Sequence, residues 1–260
     1  MSARGPELDL EEVPALLFDL DGVLTRTAAL HAQAWKRLFD EFLAARAAAE
    51  GRPFEPFDVE RDYRRYVDGK PREAGVRDFL ASRGIVLPQT PPPGAPDADS
   101  VRTLAARKTR YFEALLRTRG VETYPDAVAL VRRARAQGAR TALVTSSKHA
   151  TAVLAAAGLA GLFDAQVDGY ALEALGLRGK PDPDLFLEAA RRLGVGPERA
   201  AVFEDALAGV EAGRRGGFRL VVGVDRTGAR ERLLAHGADL VVADLSTLRL
   251  RGRGEAAGPR

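Results

Sequence analysis

From Tyr124 onward the chain repeats one texture, in which short apolar runs alternate with amphipathic helix patterns. Thr141–Val144, Ala200–Phe203, Leu220–Val224 and Leu240–Val242 read as strands, and Asp126–Gln137, Ala150–Ala157, Pro183–Leu193 and Ala206–Arg214 read as helices. Strands this short and this uniformly apolar are covered on both faces, and their alternation with helices points to a parallel sheet. The expected fold class is therefore α/β, a doubly wound parallel (Rossmann-like) sheet core.

An earlier apolar run, Ala15–Phe18, has the same character but a different sequel. Residues from about Thr27 to Arg119 are alanine-rich, with amphipathic helix patterns over His31–Ala49 and Val101–Arg117 and no clear buried strand. Between them, Gln89–Asp99 is a proline-rich loop too stiff and polar to pack as an element. The helical block is read as an insertion after the first strand. Residues 27–119 form an α-helical cap domain, and residues 1–26 with 120–260 form the core. The glycine- and arginine-rich tail Arg251–Arg260 is expected to fray.

Composition narrows the class of function. No stretch approaches the ~20 consecutive apolar residues of a membrane span, and Met1–Glu12 is polar and acidic, unlike a secretory signal. Cysteine is absent, which excludes disulfides and thiolate metal sites and suits a cytoplasmic location. The net charge of +3 could suggest nucleic acid, but the arginines are interleaved with acids and form no basic stripe with aromatics. No nucleic-acid or membrane partner is expected, and the chain is taken as a monomer. Only five of the 39 basic residues are lysine, and Lys148 and Lys180 both fall in the segments that follow.

Those segments stand where strands end. Ala15–Phe18 runs into Asp19-Leu20-Asp21-Gly22-Val23, where two carboxylates lie one residue apart before a glycine turn. Such a pair repels unless a cation lies between the carboxylates or one keeps a proton, and a hard cation such as Mg²⁺ fits. After Thr141–Val144 come Thr145-Ser146-Ser147-Lys148, which offer hydroxyls and amides to an anion or serve as a helix cap. Lys180 sits in the turn Gly179-Lys180-Pro181-Asp182-Pro183, and Ala200–Phe203 runs into a second acidic pair, Glu204-Asp205. Acids at a helix start also suit the helix dipole, so each piece alone has a purely structural account.

Together, in this order, the four segments resemble the motifs of the haloacid dehalogenase superfamily. The resemblance implies a phosphotransferase in which Asp19 is the nucleophile that becomes an aspartyl phosphate and Asp21 is the general acid/base. Thr145 would hold a phosphoryl oxygen, and Lys180 would offset charge on the nucleophile and phosphate. Asp19, Asp21, Glu204 and Asp205 would bind Mg²⁺. The helical insertion looks like the superfamily's subclass I cap.

Leading from Asp19 into that insertion, DLDGVLTRTAALHAQAWK is similar to the β-phosphoglucomutase family at Thr27, His31, Trp35 and Lys36. His31 and Trp35 share a helix face. The resemblance puts His31 at the cap linkage and Trp35 beside the sugar, while a core Trp with a His packed against it is the alternative. In Val67-Asp68-Gly69-Lys70-Pro71-Arg72-Glu73, Gly69 precedes Arg72, which would grip the substrate's distal phosphate. Lys108 matches the family's second cap lysine, and Ser147 and Lys148 match its phosphate contacts. His149, Thr145, Arg26, Lys70-Pro71 and the proline-rich loop depart from the family pattern. The implied reaction interconverts β-D-glucose 1-phosphate and glucose 6-phosphate by way of glucose 1,6-bisphosphate. The alternative is a sugar-phosphate phosphatase using the same aspartate, with water as acceptor.

Overall fold

The structure, a computed structural model, describes residues 6–252. It divides into two compact units, one built from the described residues up to Arg26 and from Glu122 on, the other from Thr27–Val121.

The first unit carries a six-stranded sheet of β2 (Ala15–Phe18), β3 (Arg140–Val144), β4 (Ala165–Val167), β5 (Ala200–Glu204), β6 (Leu220–Val224) and β7 (Leu240–Val242). All neighbours are parallel, in the order β4-β3-β2-β5-β6-β7. This is the α/β parallel sheet expected from the alternation. β2, β3 and β5 are almost wholly buried, which explains why they read as continuous apolar runs. Helices α4 (Pro125–Ala136), α5 (Ala150–Ala156), α6 (Gly169–Ala174), α7 (Asp184–Arg192), α8 (Leu207–Arg215) and α9 (Arg230–Ala235) connect and cover the strands. Leu185, Phe186, Ala189 and Val210 from the helices pack on Leu17, Val144 and Val202 of the sheet.

The chain enters this sheet near its centre, through β2. It moves outward through β3 and β4, then returns to the other side of β2 to add β5, β6 and β7. The order therefore reverses between β2 and β5, and open sheets of this kind bind ligands beyond the strand ends at such a point. Phe18 pairs with Phe203 in register, which puts Asp19 and Glu204 side by side at the reversal.

A further pairing was not foreseen. β1 (Glu7–Asp9) and β8 (Arg249–Arg251) form a separate two-stranded parallel sheet. Arg251, expected in the fraying tail, is thus part of a strand; residues 253–260 of that tail lie outside the described residues. The pairing is reinforced by ion pairs of Arg249 with Glu7 at 2.7 Å and of Arg251 with Asp9. Arg26, a departure from the family pattern, packs its guanidinium 4.4 Å from the Tyr124 ring.

The second unit is helical: α1 (Ala28–Glu50), a π-helix at Val59–Val67, α2 (Arg72–Ser82) and α3 (Val101–Arg119). Its core gathers Trp35, Phe39, Phe57, Phe79 and Leu104. Ser100 caps α3 through a reciprocal pair of hydrogen bonds with Thr103. Residues 89–99 run as turns and bends. Lys36 donates to Asp40 at 2.7 Å and to the Phe57 carbonyl at 3.0 Å, and Asp40 accepts from Phe57 N–H at 2.8 Å. Lys36 therefore pins the segment after α1. Among the described residues, no helix is long and apolar enough to cross a membrane.

Candidate active site

The site in the first unit begins with the ends of β2 and β5. Asp19 extends β2 by one more ladder bond, its N–H donating to the Phe203 carbonyl at 3.0 Å. Glu204 closes β5 and is fully buried. Between them lies the Lys180 ammonium, 2.6 Å from Asp19 Oδ1 and 2.5 Å from a Glu204 oxygen. It also sits 4.9 Å from the Phe186 ring centroid, a favourable position for a cation over an aromatic face.

Burial alone would strip the charge from Lys180, but the attraction of Asp19 and Glu204 outweighs it and raises its pKa. Burial also pushes the Asp19 carboxyl well up. Lys180 opposes that shift, while the charges of Glu204 and Asp21 add to it. Carboxylates outnumber the ammonium in this pocket.

Asp19, Glu204 and Asp205 each offer a carboxylate oxygen, and the three oxygens lie within 4.8 Å of one another. A hard-oxygen set of this kind suits Mg²⁺. Two glycines make room for it. A Cβ on Gly22, whose φ is +93°, would come 1.9 Å from Asp205 Oδ2, and one on Gly209 would come 1.8 Å from Glu204 Oε1. Any side chain at either position would displace a carboxylate of the set.

The Asp21 side chain is not one of these three. Asp21 is half-buried, forms a bridge with Thr25 and lies near enough to influence Asp19 electrostatically.

Thr145 follows β3, the other neighbour of β2, and is buried. Its Oγ1 accepts from Ser147 N–H at 3.1 Å, and Ser147 Oγ in turn accepts from His149 N–H at 3.1 Å. These local bonds shape the turn and leave the Thr145 hydroxyl proton to be donated elsewhere. The Lys148 ammonium pairs with Glu173 on α6 and lies 5.5 Å from the Tyr170 ring centroid.

In the helical unit, Lys108 is buried with its ammonium 5.2 Å from the Trp35 ring centroid and 4.8 Å from that of Phe112. Its Nζ lies 2.5 Å from His31 Nδ1, and the His31 ring stacks on Phe112 at 3.8 Å. Trp35 is buried against Phe39, with ring centroids 5.2 Å apart. It packs into the aromatic core of the unit. Thr27 is buried immediately before α1. Gly69, at φ +69°, turns the chain ahead of α2. Arg72 is the first residue of α2 and donates to Thr109 Oγ1 on α3. The sequence reading did not single out Phe112 or Thr109. Phe112 could have been found one helical turn beyond Lys108.

A family model for haloacid dehalogenase-like hydrolases matches residues 13–217. The chain belongs to this family. Within it, the chain is 48% identical over 241 residues to a β-phosphoglucomutase of Mycobacterium bovis, covering 92% of both chains. A phosphorylated carbohydrates phosphatase of Thermotoga maritima is 30% identical, over 81% of this chain and 84% of that one. Among solved structures, a β-phosphoglucomutase from Clostridium difficile superposes with a TM-score of 0.68 at 25% identity, covering 90% of this chain and 92% of that one.

Proposed function

We propose that the protein is a phosphosugar mutase interconverting β-D-glucose 1-phosphate and glucose 6-phosphate. The observation that carries this reading is the 48% identity, running through 92% of each chain, to an enzyme named for that reaction. The buried Asp19–Lys180–Glu204 arrangement suits its chemistry.

In this reading Asp19 attacks the phosphorus and becomes an aspartyl phosphate, which splits the transfer into two displacements. Lys180 holds Asp19 in place and balances charge gathering on the phosphoryl oxygens. Asp21, outside the carboxylate set, takes the proton from the sugar hydroxyl as the phosphoryl group arrives and returns it in the reverse step. The Thr145 hydroxyl donates to a phosphoryl oxygen. Asp19, Glu204 and Asp205 would hold Mg²⁺, which supplies positive charge to the transferring group. The bisphosphate formed midway returns its other phosphate to Asp19, so the substrate needs a second phosphate grip, for which Arg72 is the candidate.

The test is an assay coupled to glucose-6-phosphate dehydrogenase, with β-glucose 1-phosphate, Mg²⁺ and a catalytic amount of glucose 1,6-bisphosphate. Turnover no higher than that of an Asp19→Ala control discards the reading. The similarity to a phosphatase from Thermotoga maritima favours a second reading, in which water takes the phosphoryl group. Inorganic phosphate measured beside isomerisation ranks the two.

A further inference from the structure

We infer that Thr109 is a positioning residue for Arg72, and that through it α3 sets how tightly a second phosphate is held. The inference rests on the mutase reading and on Arg72 as the distal phosphate grip.

Thr109 lies in the middle of α3, where a threonine hydroxyl commonly bonds back to the preceding turn. Its Oγ1 donates to the Ala105 carbonyl at 3.0 Å. A hydroxyl has one proton and two lone pairs. With the proton committed to Ala105, the oxygen faces Arg72 only as an acceptor, and Arg72 Nη1 donates to it. The direction of both bonds is therefore fixed by the helix backbone. This anchor matters because Arg72 stands at the very start of α2, after the extended Pro71 and the left-handed Gly69. A long side chain at such a position has many rotamers, and its ordering would otherwise oppose each binding event. The hydroxyl orients the guanidinium by geometry and carries no charge of its own.

The neighbouring Lys70 pairs with Asp78 at 2.5 Å. One residue before Thr109, Lys108 meets His31. Two successive side chains of α3 thus each fix a different candidate substrate contact.

Thr109→Val keeps the shape and removes the acceptor, whereas Thr109→Ser keeps the acceptor. In the coupled assay, Thr109→Val is expected to raise KM for β-glucose 1-phosphate about tenfold, the scale of one hydrogen bond to a charged group. Its kcat should fall far less, because the interaction serves ground state and transition state alike. Thr109→Ser should restore KM. Misfolding of the valine variant would instead reduce the active fraction and the melting temperature, leaving KM where it was. Wild-type turnover with KM unmoved in Thr109→Val, or not restored in Thr109→Ser, overturns this inference alone. Absence of wild-type isomerisation removes the mutase reading and this inference with it.

Discussion

The rings of Phe18 and Phe203 stack with centroids 4.4 Å apart and planes 11° from parallel. Each stands one residue before an acid of the site, and the two pair in register across β2 and β5. The stack therefore locks the alignment that sets Asp19 beside Glu204. Removing a buried ring of this size costs about 3–5 kcal/mol. Phe203→Ala should lower the denaturant midpoint accordingly, measured by urea unfolding followed by circular dichroism.

Lys180→Met leaves Asp19 and Glu204 buried without their shared cation. Breaking a buried pair from one side costs about 3–5 kcal/mol. The variant is expected to lose nearly all turnover. It should also melt lower than the wild type in EDTA, with the gap narrowing in saturating Mg²⁺ as the cation offsets the carboxylates. Differential scanning calorimetry under both conditions checks this.

Gly209→Ala drives a methyl group against Glu204. In the proposed reading Glu204 holds Mg²⁺, and disturbing the surroundings of such a carboxylate costs about 10–100-fold in metal affinity. The half-saturating Mg²⁺ concentration for turnover should rise by that order, and EDTA should abolish wild-type turnover. Titration of activity against Mg²⁺ measures both.

Glu188 supplies a prediction about pH. Arg191 hydrogen-bonds its carboxylate, Arg192 adds a further bond, and together they hold its pKa down to about 2 against an ordinary 4.5. Because the folded value is the lower one, this stabilisation is fully present above pH 4.5 and is lost as the pH falls toward 2. Both arginines reach into solvent, so the contribution is about 1 kcal/mol. Glu188→Gln should be destabilised by that amount at neutral pH, and the gap should shrink as urea unfolding is repeated below pH 4.

Much of the first unit could be read in advance because its strands are buried on both faces, which writes them as unbroken apolar runs such as Leu16-Leu17-Phe18. The acids and the lysine could be read because each follows such a run or a proline turn. Side-chain aim could not. Asp21 shares a motif with Asp19, yet its side chain falls outside the carboxylate set, because the chain leaves the strand after Phe18 and turns at Gly22. Lys148 finds Glu173, a partner 25 positions along that no local pattern announces. Trp35 and His31 share a helix face, and the spacing alone does not tell that Trp35 packs in the aromatic core while His31 stacks on Phe112. β1 and β8 escaped notice because three-residue strands rich in charge carry no apolar signature.

That last pairing has a consequence for how the molecule comes apart. The six-stranded sheet is fastened by apolar packing, which added salt does not weaken. The ribbon of Glu7–Asp9 and Arg249–Arg251 leans on partly solvated ion pairs, which salt screens. Rising ionic strength should loosen this seam first, where early and late chain meet, while the ends of β2 and β5 keep their grip.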